Sequence, residues 1–592
     1  MELNWSLEEL YTSFKDEDFI GDMKKLEELI EKTKTWIDEK TKNHEEEQQK
    51  LEEYIRLIEE LLLVHEKLSN FTSLTVSIES QNETANKYNA VLEEKMSHLA
   101  SSDARITKWV SEISDLERIM EVSQLLKQHK FYLQELVEHQ KHMLSEKEEA
   151  ILARMQNTGS SAWVTYKNLL IATHKVELEV KGEKKSLPLT EVLNLAYDED
   201  EETRKKAYEA EMASYKKIEE GIAAALNAIK GEVLTVCQLR GYTSPLEMTL
   251  NESRMDQETL DAMLEAIKEK LPCFRKYLRA KAEKLGYKNG LPFYELYAPV
   301  VDKEMKFPYE KGAAFVEKNF HTFSQNLGNF AKKAITNQWI DVMPKEGKVG
   351  GAFCSAVHSI GESRVMLNYG GNLSDVVTMA HELGHGFHDY CLKDESILNI
   401  NLPMSLAETA SNFCETIIKK AALKEADREE QLAILETEIS DSTQVIVDIY
   451  SRFLFETAFF EERKEGPLSV KEINNLMLEA QKEAYGDGLD PEYLHPYMWT
   501  WKPHYYYADA NFYNFPYAFG LLFAKGLYSQ YLKDTEGFPT KYEKLLQVTG
   551  KMSVKEALNT MNINASDKQF WLDSLEIVEK EIDEFIKLLE EV

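Results

Sequence analysis

Proline and glycine are scarce in this 592-residue sequence, at 14 and 25 residues, well below average usage. These residues interrupt helices most strongly, and no proline precedes Pro188, so a mainly α-helical protein is predicted. Cysteine is sparse too. Cys237, Cys273, Cys354, Cys391 and Cys414 are odd in number, far apart and without any CxxC pairing, unlike a disulfide framework, and they point to a reducing, cytoplasmic compartment. Positive charge is in deficit: 70 Lys and Arg stand against 103 Asp and Glu, a balance of −33. Phosphate binding needs clustered cations, so nucleic acid is not expected as a partner. The acidic excess itself reads as solvated surface and sets no substrate preference. No uninterrupted apolar run approaches the roughly 20 residues of a membrane span, and Met1–Glu9 has no basic flank leading into an apolar stretch. Neither a membrane partner nor a secretory leader is expected.

What is present is a succession of amphipathic helices. The length exceeds what one core serves, so two or more structural units are expected. Met23–Ile30 is dense in Glu, Lys and Leu, and between Leu51 and Leu68 the residues Tyr54, Ile55, Ile58, Leu61, Leu62 and Val64 recur three and four apart, as one buried helix face requires. A coiled-coil scaffold is the rival for this half, but the sustained a/d heptads with matched e/g charges of a long zipper are missing. Val176–Val180 alternates apolar and charged residues and runs into the turn-like 181–184, which predicts a β-hairpin. Acidic residues at Asp198–Glu202 suit the start of a helix. The boundaries read from these signals are an N-terminal helical region over 1–115, a helical domain ending in the hairpin over 116–199, and a catalytic domain over 200–592.

His381-Glu382-Leu383-Gly384-His385 is the chemical centre of the sequence. Residues four apart lie on one helix face, so both imidazoles can be directed at one ion. The run from Asp375 to Ala380 is compatible with a helix, with Ser374 or Asp375 as its cap. Glu382, beside the first ligand, is placed to reach a water at the ion and is the candidate general base. A catalytic zinc usually takes three protein ligands and keeps one open position. His388 fits poorly as the third and reads as structural. Leu402–Glu415 reads as a second helix with Pro403 near its first turn, and Glu408 and Glu415 lie seven apart on one face. Glu408 is the chosen third ligand; Glu415 is assigned to hold a ligand imidazole in its metal-binding tautomer.

With Asn368-Tyr369-Gly370-Gly371, the run from Asp375 through His388, and Ala407-Glu408-Thr409-Ala410-Ser411, the chain resembles the M3 family of zinc peptidases, in its oligoendopeptidase F branch. The resemblance extends with lower specificity over about 110–590. It implies one Zn2+ held by His381, His385 and Glu408, Glu382 as base, and a zincin-type, multi-helix body enclosing a deep channel for short peptides, with a small β-sheet near the site. It also implies that a His and Tyr cluster lines the site, for which His504, Tyr513 and Tyr517 are the nearest matches; Phe515 stands where the family pattern places another Tyr. Such groups can donate hydrogen bonds to a forming oxyanion.

Ser363–Tyr369 has strand character and ends at a Gly-Gly turn, so it could offer an edge to an extended peptide, with 348–351 as a mobile loop beside it. The expected function is endopeptidase action on short oligopeptides by metal-activated water. The rivals are a non-catalytic helical scaffold with a structural zinc and a zinc hydrolase of a non-peptide amide.

Overall fold

A computed structural model of the chain describes residues 3–180, 182–301, 303 and 305–591. It is 71% helical, as the shortage of Pro and Gly predicts. The chain divides into two compact units, each assembled from three stretches: Met1–His142 with Met305–Ala422 and Gln530–Ile563, and Met143–Glu304 with Leu423–Ser529 and Asn564–Val592.

In the first unit the helices Glu17–Lys40 and Glu47–Ile78 form the start of the core. The first is capped by Asp16, whose carboxylate accepts from Asp18 N–H, satisfying one of the open donors of the first turn. The second buries Leu51, Tyr54, Ile55, Leu57, Ile58 and Leu61, while Leu62 and Val64 are half-buried at the margin of that face. These residues join Leu26, Leu29, Ile30 and Ile37 in a core that continues into the sheet through Val357 and Met366. Full burial of each such aliphatic side chain is worth about 1.5–3 kcal/mol, so the N-terminal helices and the sheet stabilise each other.

Three strands of this unit make one small sheet: β3 (Ile340–Asp341), β4 (Phe353–Val357) and β5 (Glu362–Met366). The order is β3-β5-β4, with β5 parallel to β3 and antiparallel to β4 from Phe353↔Met366 to Val357↔Glu362. β5 is therefore the internal strand, and the edge expected at 363–369 is taken on both sides. Leu367 and Tyr369 N–H continue the β3 side by donating to Asp341 and Val342 O at 2.8 and 3.0 Å. The available edge is that of β4.

In the second unit β1 (Lys175–Val180) and β2 (Glu183–Pro188) form the predicted antiparallel hairpin; of its turn at 181–184, Lys181 lies outside the described residues. Val176 and Leu178 enter a core with Tyr215, Ile222, Leu226, Ile229, Phe455, Phe459 and Trp499. The helix Glu219–Leu239 has the length and hydropathy of a membrane span, but half of that window is buried within the protein. Its Lys230 ammonium donates to Glu456 at 2.6 Å and to Asn511 at 2.9 Å, all three side chains being buried, which is the behaviour of a core helix with a paired internal charge.

Candidate metal centre and active site

The helix Leu373–Leu392 carries the His-Glu-x-x-His run. Its cap is Asn372, two residues ahead of the predicted Ser374 and three ahead of Asp375. Asn372 Oδ1 accepts from Asp375 N–H and the Asp375 carboxylate accepts from Asn372 N–H, each at 3.0 Å, a reciprocal box that fixes where the helix starts and hence which way its histidines point. Val376, Met379, Ala380, Leu383 and Phe387 bury the opposite face.

The Leu402–Glu415 segment is not one helix. A single turn, Met404–Ala407, ends at Glu408, and a second helix runs Thr409–Glu425. Glu408 sits at the junction, where its carboxylate faces the motif helix. Close approach is permitted by Gly384: a Cβ there would lie 2.7 Å from Ala410 O and 2.7 Å from Ser411 Cα.

The approach brings three ligand atoms together. His381 Nε2 lies 3.1 Å from His385 Nε2, and Glu408 Oε2 lies 3.3 Å from the first and 3.6 Å from the second. Two imidazole lone pairs aimed at one point, with a carboxylate oxygen beside them, make a poor mutual contact but a good cation cradle. Ligands at zinc-like bond lengths in a tetrahedron stand about 3.3 Å apart, which is the spacing found. The three side chains keep 24%, 25% and 26% of their surface exposed, so the cradle is open on one side.

Around it the polar groups are divided in function. Glu415 Oε1 lies 2.6 Å from His381 Nδ1, leaving Nε2 for the cradle. Its other oxygen accepts from Lys419 Nζ at 2.9 Å. Burial opposes ionisation of Glu415, yet Lys419 and His381 outweigh it and pull the carboxyl down to about 2. Ser411 Oγ donates to Glu408 Oε2 at 2.7 Å. Glu382 is buried and accepts from Cys354 N–H of β4; burial, with the charges of Glu408 and Glu415, pushes its carboxyl up to about 7. Burial works against protonation of His381, but the hydrogen bond and charge of Glu415 prevail and its pKa rises. His388 turns into the core, where its Nε2 meets Thr549 Oγ1 at 2.7 Å.

Lys419 and Ser411 escape the sequence reading. Lys419 stands four residues after Glu415, the spacing of a helical ion pair, but on a sequence such a lysine looks like surface charge. The 348–351 loop is tied down: Lys348 Nζ reaches Asp341 Oδ1 at 2.6 Å, Val349 N–H donates to Ser77 O at 2.9 Å, and Asn368 Nδ2 donates to Gly351 O at 2.8 Å.

Residues 194–577 match the profile of Peptidase family M3, and residues 102–175 match that of Oligopeptidase F. The chain belongs to peptidase family M3. It is a peptidase. Among curated relatives, Oligopeptidase PepF of Bacillus subtilis is 25% identical over 526 residues, covering 87% of this chain and 78% of that one. An oligoendopeptidase F homolog of Borreliella burgdorferi is 25% identical over 571 residues and covers 91% of each. Among solved structures, one described as a candidate peptidase from Chlamydophila abortus superposes with a TM-score of 0.85 at 21% identity, covering 99% of this chain and 98% of that one. Oligoendopeptidase-F from Enterococcus faecium does so at 0.69 and 18%, covering 97% and 99%. The fold is thus that of these peptidases.

The remaining residues singled out from sequence lie together in the second unit. The His504 and Tyr513 rings stack at 5.1 Å with 14° between planes, and Tyr513 meets Tyr517 at 5.9 Å. Burial, reinforced by Arg452 and Lys502, pushes His504 down to about 4, so its imidazole is neutral at neutral pH. Phe515 is buried and offers no hydroxyl. Phe512, just before Tyr513, holds a φ of 51°, a costly conformation for a bulky side chain, wedged against Phe453 and Phe460.

Proposed function

We propose that this M3 peptidase is a zinc-dependent endopeptidase of short oligopeptides with Glu382 as general base. The observation that carries the reading is the 3.1–3.6 Å triangle of His381, His385 and Glu408 with the Glu382 carboxyl buried beside it. These three residues would hold one ion. Two imidazoles and a carboxylate suit Zn2+. A bound ion would supply Lewis acidity, lowering the pKa of a neighbouring water and polarising the scissile carbonyl.

The chain's own groups do the rest. Glu415, held by Lys419, keeps the His381 proton on Nδ1. Glu382 takes a proton from the attacking water and returns it to the departing amine; a carboxyl pushed to about 7 can do both near neutrality. The outer edge of β4, whose Cys354 N–H donates to Glu382, is the surface on which an extended peptide backbone is proposed to pair. Oxyanion donation is assigned to His504, Tyr513 and Tyr517 on the chemistry of their groups, and replacement of each by Phe tests it. The relatives' names, oligopeptidase and oligoendopeptidase F, support peptide substrates of limited length. Five free thiols support a reducing, cytoplasmic location.

The test is hydrolysis of an internally quenched peptide library by wild type and by Glu382→Gln, with zinc measured on both. Cleavage by wild type alone at equal zinc content is the expected result. Zinc without cleavage in either protein would favour a structural metal or a non-peptide amide substrate, and an active Glu382→Gln protein would overturn the assignment of the base.

A further inference from the structure

The edge of β4 is closed close to Cys354 at one end and farther from it at the other. Ala356 O accepts from Asn70 Nδ2 at 3.0 Å, so the backbone groups of Ala356 point away from β5. By the two-residue alternation of a strand those of Cys354 do too, in agreement with the donation of Cys354 N–H to Glu382. This is the edge a peptide meets at the reacting centre. Past Ala356 it is taken by two side chains one turn apart on the Glu47–Ile78 helix. Glu66 accepts from His358 N–H at 2.8 Å and from Ser359 N–H at 3.3 Å. Asn70 bridges them, donating to Glu66 Oε1 at 2.6 Å and accepting from Ser355 Oγ at 2.9 Å. In the other direction the same helix takes the backbone only at Val349, five residues from Cys354, whose N–H donates to Ser77 O at 2.9 Å.

We propose that Asn70 and Glu66 form an end-stop that limits the substrate on one side of the scissile bond. This rests on the peptide pairing with β4 as described above. From Cys354 to Ala356 the edge advances about 7 Å, the length of about two strand residues. A peptide can therefore pair for about two residues on the Ala356 side and must leave the strand there, because the next acceptor and the next donors are occupied and their space is filled. On the Gly351 side it has about five residues before Val349, whose N–H is taken by Ser77 O. The substrate class is oligopeptides with a short flank on one side and a longer flank on the other. The N-terminal helices, which carry no chemical motif, supply the element that sets this limit.

Two nested sets of fluorescent peptides test it, lengthened one residue at a time at the amino or the carboxyl end of a shared short core. Both sets are titrated against the full-length, zinc-loaded Glu382→Gln protein and against the same protein carrying Asn70→Ala. Lengthening one end is expected to lower affinity at least 10-fold once the flank exceeds about two residues, whereas lengthening the other leaves it level to about five residues. Asn70→Ala should raise the long-to-short affinity ratio of the restricted set about 10-fold. Glu66→Ala, a second change in the same stop, should move that ratio in the same direction; a brace that merely supports β4 would lower all affinities together. Equal tolerance at both ends, a ratio that neither variant moves, or no binding by any peptide overturns the proposal. Because the readout is binding, a wild type that fails to hydrolyse would refute the catalytic reading and leave this result intact.

Discussion

Gly384→Ala separates two effects of opposite sign. In a helix interior, alanine is favoured over glycine by about 1 kcal/mol, so on propensity alone the substitution stabilises. The added Cβ, however, would sit 2.7 Å from Ala410 O and from Ser411 Cα, both backbone atoms with no rotamer to yield. Reaching ordinary contact requires the two helices to separate by about 0.7 Å. Overpacking of this kind costs about 1–3 kcal/mol, leaving a net loss of about 0–2 kcal/mol. The larger effect falls on the site. The same displacement carries Glu408 away from His381 and His385, and a misplacement approaching 1 Å costs on the order of 100-fold, or about 2.7 kcal/mol of transition-state stabilisation. The expected result is a small loss in thermal stability of the metal-free protein, with a fall of about 100-fold in kcat/KM and a parallel loss of zinc affinity measured by chelator competition. Unchanged zinc affinity and kinetics, or a Tm above wild type, would refute the claim that this glycine sets the spacing of the ligand triangle.

Lys419→Met should free the Glu415 carboxylate to rotate and weaken zinc binding about 10-fold, with Lys419→Arg restoring most of it; chelator competition on the two variants checks this. Removal of zinc by a chelator should abolish peptide hydrolysis and addition of zinc should restore it, with circular dichroism unchanged because the helices around the cradle have their own core. His388 supplies a pH dependence. Burial, helped by the charge of His385, pushes its pKa from 6.5 to about 3, so below pH 6.5 the unfolded chain takes up a proton that the folded protein refuses. The stability it contributes is complete above about pH 6.5 and is lost toward pH 3, at about 1.4 kcal/mol per pH unit. Urea unfolding at pH 5 and 7 should show a shallower pH dependence in His388→Gln than in wild type.

The meeting of His381, His385 and Glu408 in one cluster was legible because helical spacing is a strong constraint. His381 and His385, four apart, needed only a helix to share one face, whereas Glu408 and Glu415, seven apart, do not share a helix, because Glu408 sits at the junction before Thr409–Glu425. Other features left no comparable mark. The break at Glu408 has no Pro or Gly beside it, only the weaker helix formers Thr409 and Ser411 just after it, and packing against the motif helix decides the stop there. β5 looked like a free edge because its partner β3 has two residues, too few to show alternation. The cap at Asn372 was masked by two other capable residues, Ser374 and Asp375, and only the reciprocal bonds of Asn372 with Asp375 decide among them. That each compact unit is built from three separate stretches is not something local composition can express.

Three glutamates within a few residues of the same cradle show why residue type alone could not assign roles. Glu415 is half-buried, and a lysine on one oxygen and an imidazole on the other hold it ionised down to about 2, so near neutrality it is a fixed acceptor and of little use as a proton shuttle. Glu382 is buried, without a cation on its carboxylate, and two neighbouring negative charges help carry it to about 7. It can gain and lose a proton in the range where a peptidase works. Glu408 is the most open of the three and points its Oε2 at both histidine Nε2 atoms, the position of a ligand. On the proposed reading one side-chain chemistry would supply an orienting group, a proton carrier and a metal ligand, and what separates them is which neighbours the fold places against each carboxylate.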